Sequence, residues 1–127
     1  MIDKNGIAKE IAAIGSIEWQ RHWVVNGSAE RGYAELDELI ETTIYEAKRQ
    51  ATHPTTRDSY SQQERATLIC FHDRVDALYG SIQWRDPKVS IADIVERNET
   101  MRQIRDAASQ CLRELGVSFT EQELLND

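Results

Sequence analysis

Apolar residues recur along this chain mainly at three- and four-residue intervals, the period of a helix with one buried face. Between residues 3 and 14, Ile7, Ala8, Ile11 and Ile14 form such a stripe, and Gly15-Ser16 either ends the helix or bends it. Residues 17–25 fit two patterns. Ile17, Trp19, Trp23 and Val25 alternate like a strand interrupted by Arg21, whereas a helix groups Trp19 with Trp23. No second strand is available for pairing, so the helix is expected to continue to about Val25 and to end in a turn at Asn26-Gly27. Ser28 then serves as the N-cap of a second helix. Glu30 and Glu35 stand in its opening turns, and Tyr33, Leu36, Ile40, Ile44 and Ala47 form its stripe. Lys48 and Arg49 suit its last turn, and His53-Pro54 closes it because the residue before proline avoids the α region.

Ser61-Gln62-Gln63-Glu64 reads as a capping box for a third helix. Its stripe is Leu68, Phe71, His72, Val75, Leu78 and Tyr79, and Gly80 is the expected left-handed stop. Residues 81–88 are irregular, with Trp84 expected to fold back on the core. Ser90 caps a fourth helix whose stripe runs from Ile91 through Ile94, Val95, Met101, Ile104, Ala108 and Cys111 to Leu115. At about 25 residues this helix would be roughly 37 Å long, more than a domain of this size requires. Thr120 and Glu123 form another capping box, Phe119 and Leu124 are placed for a hydrophobic staple, and a short last helix ends near Leu125. The expected fold is all-α: a single domain over residues 1–127, built as a four-helix antiparallel bundle-like arrangement with a short C-terminal fifth helix.

Composition narrows the function more than the fold. A net charge of −7 disfavours nucleic acid and anionic membrane surfaces, and makes a basic patch on another protein the more natural partner. Eleven arginines against four lysines suit planar interface contacts, though compositional bias accounts for the excess equally well. The opening residues lack the apolar run of a secretory signal, and nothing approaches a membrane span of ~20 residues, so a cytoplasmic location is expected. Cys70 and Cys111, inside apolar helical patterns, are expected as small buried hydrophobes in a reducing compartment.

Catalytic constellations are sparse. No Glu-x-x-His pair supports a di-iron bundle, and zinc's three or four ligands cannot be assembled from the three histidines, two cysteines and their neighbours. The glycines form no phosphate loop, and neither cysteine sits near a strained turn. No metal or cofactor is therefore expected. Arg65 and His72, separated by six residues, project from one face of the third helix. This spacing resembles the Arg-x(4–6)-His motif of the HEPN-domain ribonucleases, which are also all-α and of similar length. The resemblance implies Arg65 on phosphate and His72 in acid/base work at a helical dimer interface. The alternative is a His72 that borders the core with one nitrogen hydrogen-bonded, and a surface Arg65.

Between residues 30 and 46 six carboxylates oppose one arginine. They form either a solvated helix face or a surface, including Glu38 and Glu41, aimed at a basic partner such as a DNA-binding regulator or a basic toxin. Trp19, Trp23 and Trp84, with Arg21 between the first two, are the residue types that anchor interfaces. Together these features point to a non-enzymatic protein-binding regulator, an antagonist that sequesters a transcription regulator or similar protein. It would bind through Trp19, Arg21, Trp23, Trp84, Glu38 and Glu41. The over-long fourth helix further suggests a homodimer. An immunity protein that neutralises a toxin, and the HEPN-like ribonuclease, stand as alternatives.

Overall fold

The computed structural model describes residues 6–27 and 35–126, and among these the chain is helical with no strand. The helices are α1 (Ile7–Gly15), α2 (Ile17–Gln20), α3 (Leu36–Thr52), α4 (Gln62–Tyr79), α5 (Ile91–Arg97), α6 (Glu99–Leu115) and α7 (Glu121–Leu125). A π-helical turn, Arg21–Val25, continues α2, and a single 3-10 turn, Arg57–Ser59, joins α3 to α4. The four longer helices close a ring in which α1 packs on α3, α3 on α4, α4 on α6 and α6 on α1. The core between them is aliphatic: Ile11, Ile14, Ile40, Leu68, Val75, Met101 and Ile104 are fully enclosed. These are the residues that the three-and-four spacing aligns on one face of each helix. The all-α expectation holds. Two of its boundaries need comment, one that the sequence left open and one that it misplaced.

The first concerns the start of the chain. Ser16 is extended (φ −111°, ψ 110°), so α1 ends at Gly15 and a new helix begins, capped by Ser16 Oγ accepting from the Trp19 N–H at 3.0 Å. Residues 17–25 are helical rather than extended, but their last turn is wound as a π-helix, with the Asn26 N–H donating to Arg21 O at 2.9 Å. A small residue suits the break because α1 ends close against α6. A Cβ at Gly15 would lie 3.1 Å from Ser109 Oγ and 3.4 Å from the Ala108 Cβ.

The buried Gln20 fixes the angle of the break. It is 0% exposed, and its Nε2 donates to Ala13 O at 3.2 Å and to Ile14 O at 2.7 Å. Its Oε1 accepts from Arg105 Nη1 at 3.1 Å. One amide therefore satisfies the open carbonyl end of α1 and ties it to α6.

The second boundary corrects the fourth helix. It is not continuous. Asn98 is extended (φ −80°, ψ 119°), and its Oδ1 accepts from the Met101 N–H at 2.8 Å, making it at once the end of α5 and the N-cap of α6. An over-long helix reaching beyond the bundle therefore does not exist, and it no longer argues for a homodimer.

Smaller corrections follow the same logic. The second helix starts at Leu36, with Glu35 extended and no side-chain cap; the proposed Ser28 cap, Glu30 and Tyr33 lie outside the described residues. Gly80 is right-handed (φ −70°), and among the described residues the left-handed glycine is Gly116 at φ 72°. Cys111 is buried as expected, but Cys70 is exposed on the outer side of α4. Both capping boxes, Ser61 with Glu64 and Thr120 with Glu123, are formed. No described helix is long and apolar enough to cross a membrane.

Candidate functional site

The six residues singled out by the sequence fall into two groups. Trp19, Arg21 and Trp23 sit on α2 and the π-helical turn, and the fold uses two of them internally. Arg21 grips Glu96 of α5: Nε lies 2.8 Å from each carboxylate oxygen and Nη2 is 2.5 Å from Oε1, while Nη1 reaches Glu18 at 2.8 Å. This fork-on-carboxylate geometry holds the Glu96 carboxyl below its usual range. It also straps the π turn to α5. Trp19 is half-buried against the core and helps line a groove of about 550 Å³ with Leu39, Leu124 and Glu10. Trp23 is half-buried and stands edge-on to His22, with centroids 4.9 Å apart at 83°.

Trp84, Glu38 and Glu41 belong to one surface, and Tyr79 joins them. The Trp84 indole packs on Tyr79 with centroids 5.7 Å apart, and its Nε1 donates to Tyr79 O at 3.3 Å. The Tyr79 hydroxyl in turn donates to Glu41 Oε2 at 3.3 Å, which also shows that α3 and α4 run antiparallel. Burial, and next the Glu41 carboxylate, push the Tyr79 phenol up. Trp84 is thus folded back as expected, onto the end of α4.

On α3 itself, Glu38, Glu41, Thr42 and Tyr45 share one outward face by i, i+3, i+4, i+7 spacing. The face is crowded with negative charge. The Glu38 carboxyl is raised, first by the charge of Glu35, with Asp37 and Glu41 adding to it. On the α1 side, burial and then Glu46 raise the Glu10 carboxyl. Glu46 is the exception, because the guanidinium of Arg49 and the amide of Gln50 bond its oxygens and hold its carboxyl down at about 2.

The sequence reading missed Tyr45. It is 67% exposed, one of two large apolar residues so displayed among the described residues. Its signal was present: Tyr45 lies off the Leu36–Ile40–Ile44–Ala47 stripe and one turn beyond Glu41. An aromatic residue on a charged face has no core to fill.

Arg65 and His72 do lie on α4, two turns apart. Arg65 Nη1 donates to Arg57 O and Tyr60 O, both at 3.1 Å, and so fastens the 3-10 connection to the start of α4. His72 Nδ1 lies 2.8 Å from Asp73 Oδ1. Among the described residues no three His, Cys, Asp or Glu side chains converge as a metal site would need.

Fold and surface together define an all-α helical domain with an acidic, aromatic-flanked face on α3. Comparison of the chain with protein-family models, with curated proteins and with solved structures finds no match.

Proposed function

We propose that this domain is a non-enzymatic protein-binding regulator. It engages a basic surface on another protein through the outward face of α3, and acts as an antagonist by occupying that surface. The single observation that carries the reading is the cluster of carboxylates around Glu38, which among the described residues forms no ion pair. Glu35, Asp37, Glu38 and Glu41 gather like charge at the surface, and the charge of Glu35, with a hydrogen bond between the Glu35 and Glu38 side chains, raises the Glu38 carboxyl. Elsewhere the fold pairs its charges closely, as in Arg21–Glu96, Arg49–Glu46 and Arg102–Asp106. An unrelieved carboxylate cluster costs stability, and a cationic partner would relieve it.

Tyr45 supplies the anchor. A large, rigid aromatic beside complementary charge is the combination that dominates interface energetics. Tyr79 and Trp84 flank the same face through Glu41, and Trp19 lines the neighbouring α1–α3 groove. Arg65, engaged in fastening the 3-10 connection, favours a binding role over the ribonuclease alternative.

The test is capture from the native cell with the wild-type domain and with Glu38→Lys/Glu41→Lys and Tyr45→Ala variants. The reading expects a partner with a basic surface, released by high salt, and lost from both variants while helicity is retained. Recovery of the same partners by wild type and variants alike would refute it. The partner's identity, a transcription regulator or a toxin, separates a sequestering antagonist from an immunity protein.

A further inference from the structure

The last helix is held unlike the others. Each of α1 to α6 places at least one buried residue in the fold, and α7 places none. Its two leucines, Leu124 and Leu125, are half-buried, where α7 lies against α1 and α2. A helix of five residues does not persist in water by itself, so this contact decides whether α7 is formed in place. The bonds that shape α7 are local. The Thr120–Glu123 capping box, the Leu124 N–H to Thr120 O at 3.2 Å and the Asn126 N–H to Gln122 O at 3.0 Å all lie within residues 120–126. Undoing them leaves the hydrogen bonds of the four-helix ring in place.

The segment before α7 is better anchored and so marks the hinge. Helix α6 stops at the left-handed Gly116, and the Val117 N–H donates back to Leu112 O at 3.1 Å. Val117 and Phe119 pack against the core. The chain is therefore fixed as far as Phe119 and loosely held from Thr120 onward.

What α7 covers is apolar. Leu124 and Asn126 form one wall of the α1–α3 groove, and Ile7, Ala13, Trp19 and Leu39 line its apolar sides. Glu10 and Glu46 line both this groove and the hollow beside Tyr45. With α7 away, the groove and the acidic face of α3 become one open surface.

We propose that α7 is a detachable strap. It closes over the α1–α3 groove and opens about Thr120 while the ring of four helices stays folded, exposing Trp19 and Leu39. Local opening of this kind belongs to elements with few enclosed contacts. The strap sets how much apolar surface stands beside Tyr45. That this matters to a partner rests on the function proposed above, whereas the opening itself does not.

Native-state hydrogen exchange of the full chain, read by NMR, tests the opening without any partner. The Leu125 and Asn126 amides are expected to be protected about tenfold, and those of Ile104 and Ala108 in α6 about 1,000-fold or more. Leu124→Asp is expected to remove the protection of α7, to cut that of α6 by no more than about tenfold, and to move the Trp19 indole cross-peak. Leu124→Met is expected to keep wild-type protection throughout. Exchange of α7 and α6 amides in one common step would overturn the strap, as would a Leu124→Asp chain that loses the protection of α6 along with that of α7. Wild-type α7 amides with no protection at all would overturn it from the opposite side, since a strap must also close. A Trp19 cross-peak indifferent to Leu124→Asp would overturn its seat over the groove.

Discussion

Gln20 is the residue whose loss should be felt furthest from its own position. The side chain is fully buried and makes three contacts: Ile14 O at 2.7 Å, Ala13 O at 3.2 Å and Arg105 Nη1 at 3.1 Å. Replacing it with Met keeps the volume and removes the polar groups. Ala13 O retains a bond from the Ser16 N–H at 3.3 Å, so its loss is partial. Ile14 O faces the larger penalty, because a buried carbonyl left without a donor costs about 1–3 kcal/mol. The half-buried Arg105 loses an acceptor but keeps other donors near water, a smaller effect. With about 1 kcal/mol for the weakened Ala13 contact, the total is about 3 kcal/mol. For a domain of this length the unfolding entropy converts 3 kcal/mol into a fall in Tm of about 11 °C. Gln20→Ala adds a cavity and should fall further. Thermal melts followed by far-UV circular dichroism measure both. A Gln20→Met chain that melts within about 3 °C of wild type, an effect below 1 kcal/mol, would refute the view that this amide holds the α1–α2 break.

Four further outcomes follow from the geometry. Asn98→Ala removes the N-cap of α6 and should cost about 1 kcal/mol, read as a lower midpoint in urea at unchanged m. Glu46 has its carboxyl depressed to about 2 against an ordinary 4.5, so its contribution is present above 4.5 and is lost as pH falls toward 2. Glu46→Gln should flatten the stability profile in that window, measured by urea melts at stepped pH. Glu38 has the opposite sign: its raised carboxyl makes the ionised form unfavourable to folding. Glu38→Gln should therefore raise the Tm at neutral pH, and added salt should shrink the gain. Burial holds the Cys111 thiol well above its ordinary value, and a Cys70→Ser chain leaves it as the one thiol. Labelling by a thiol reagent should then proceed only as fast as unfolding, and rapid native-state labelling would contradict its enclosure.

The sequence by itself determined the elements that rest on local chemistry. The Ser61–Glu64 and Thr120–Glu123 boxes, the proline stop after His53 and the aliphatic stripes of α1, α3 and α6 depend on residues within one turn of each other. Their spacing is enough to specify them. Part of the candidate surface was legible for the same reason: Glu38 and Glu41 stand one turn apart on a charged face.

What the sequence could not determine was decided by groups distant along the chain. Nothing near Gln20 announces that it will be buried; Arg105 of α6 and the end of α1 make it so. No local spacing shows that Arg21 of the π turn will pair with Glu96 of α5. Asn98 interrupts an otherwise unbroken apolar stripe, and no local spacing shows that its side chain caps α6 rather than facing solvent mid-helix. The outer face of α3, with Tyr45, emerged only when the ring of four helices showed which sides were already taken. A stripe of apolar residues states that a face will be covered. Only the packing shows which faces the chain covers itself and which it leaves exposed.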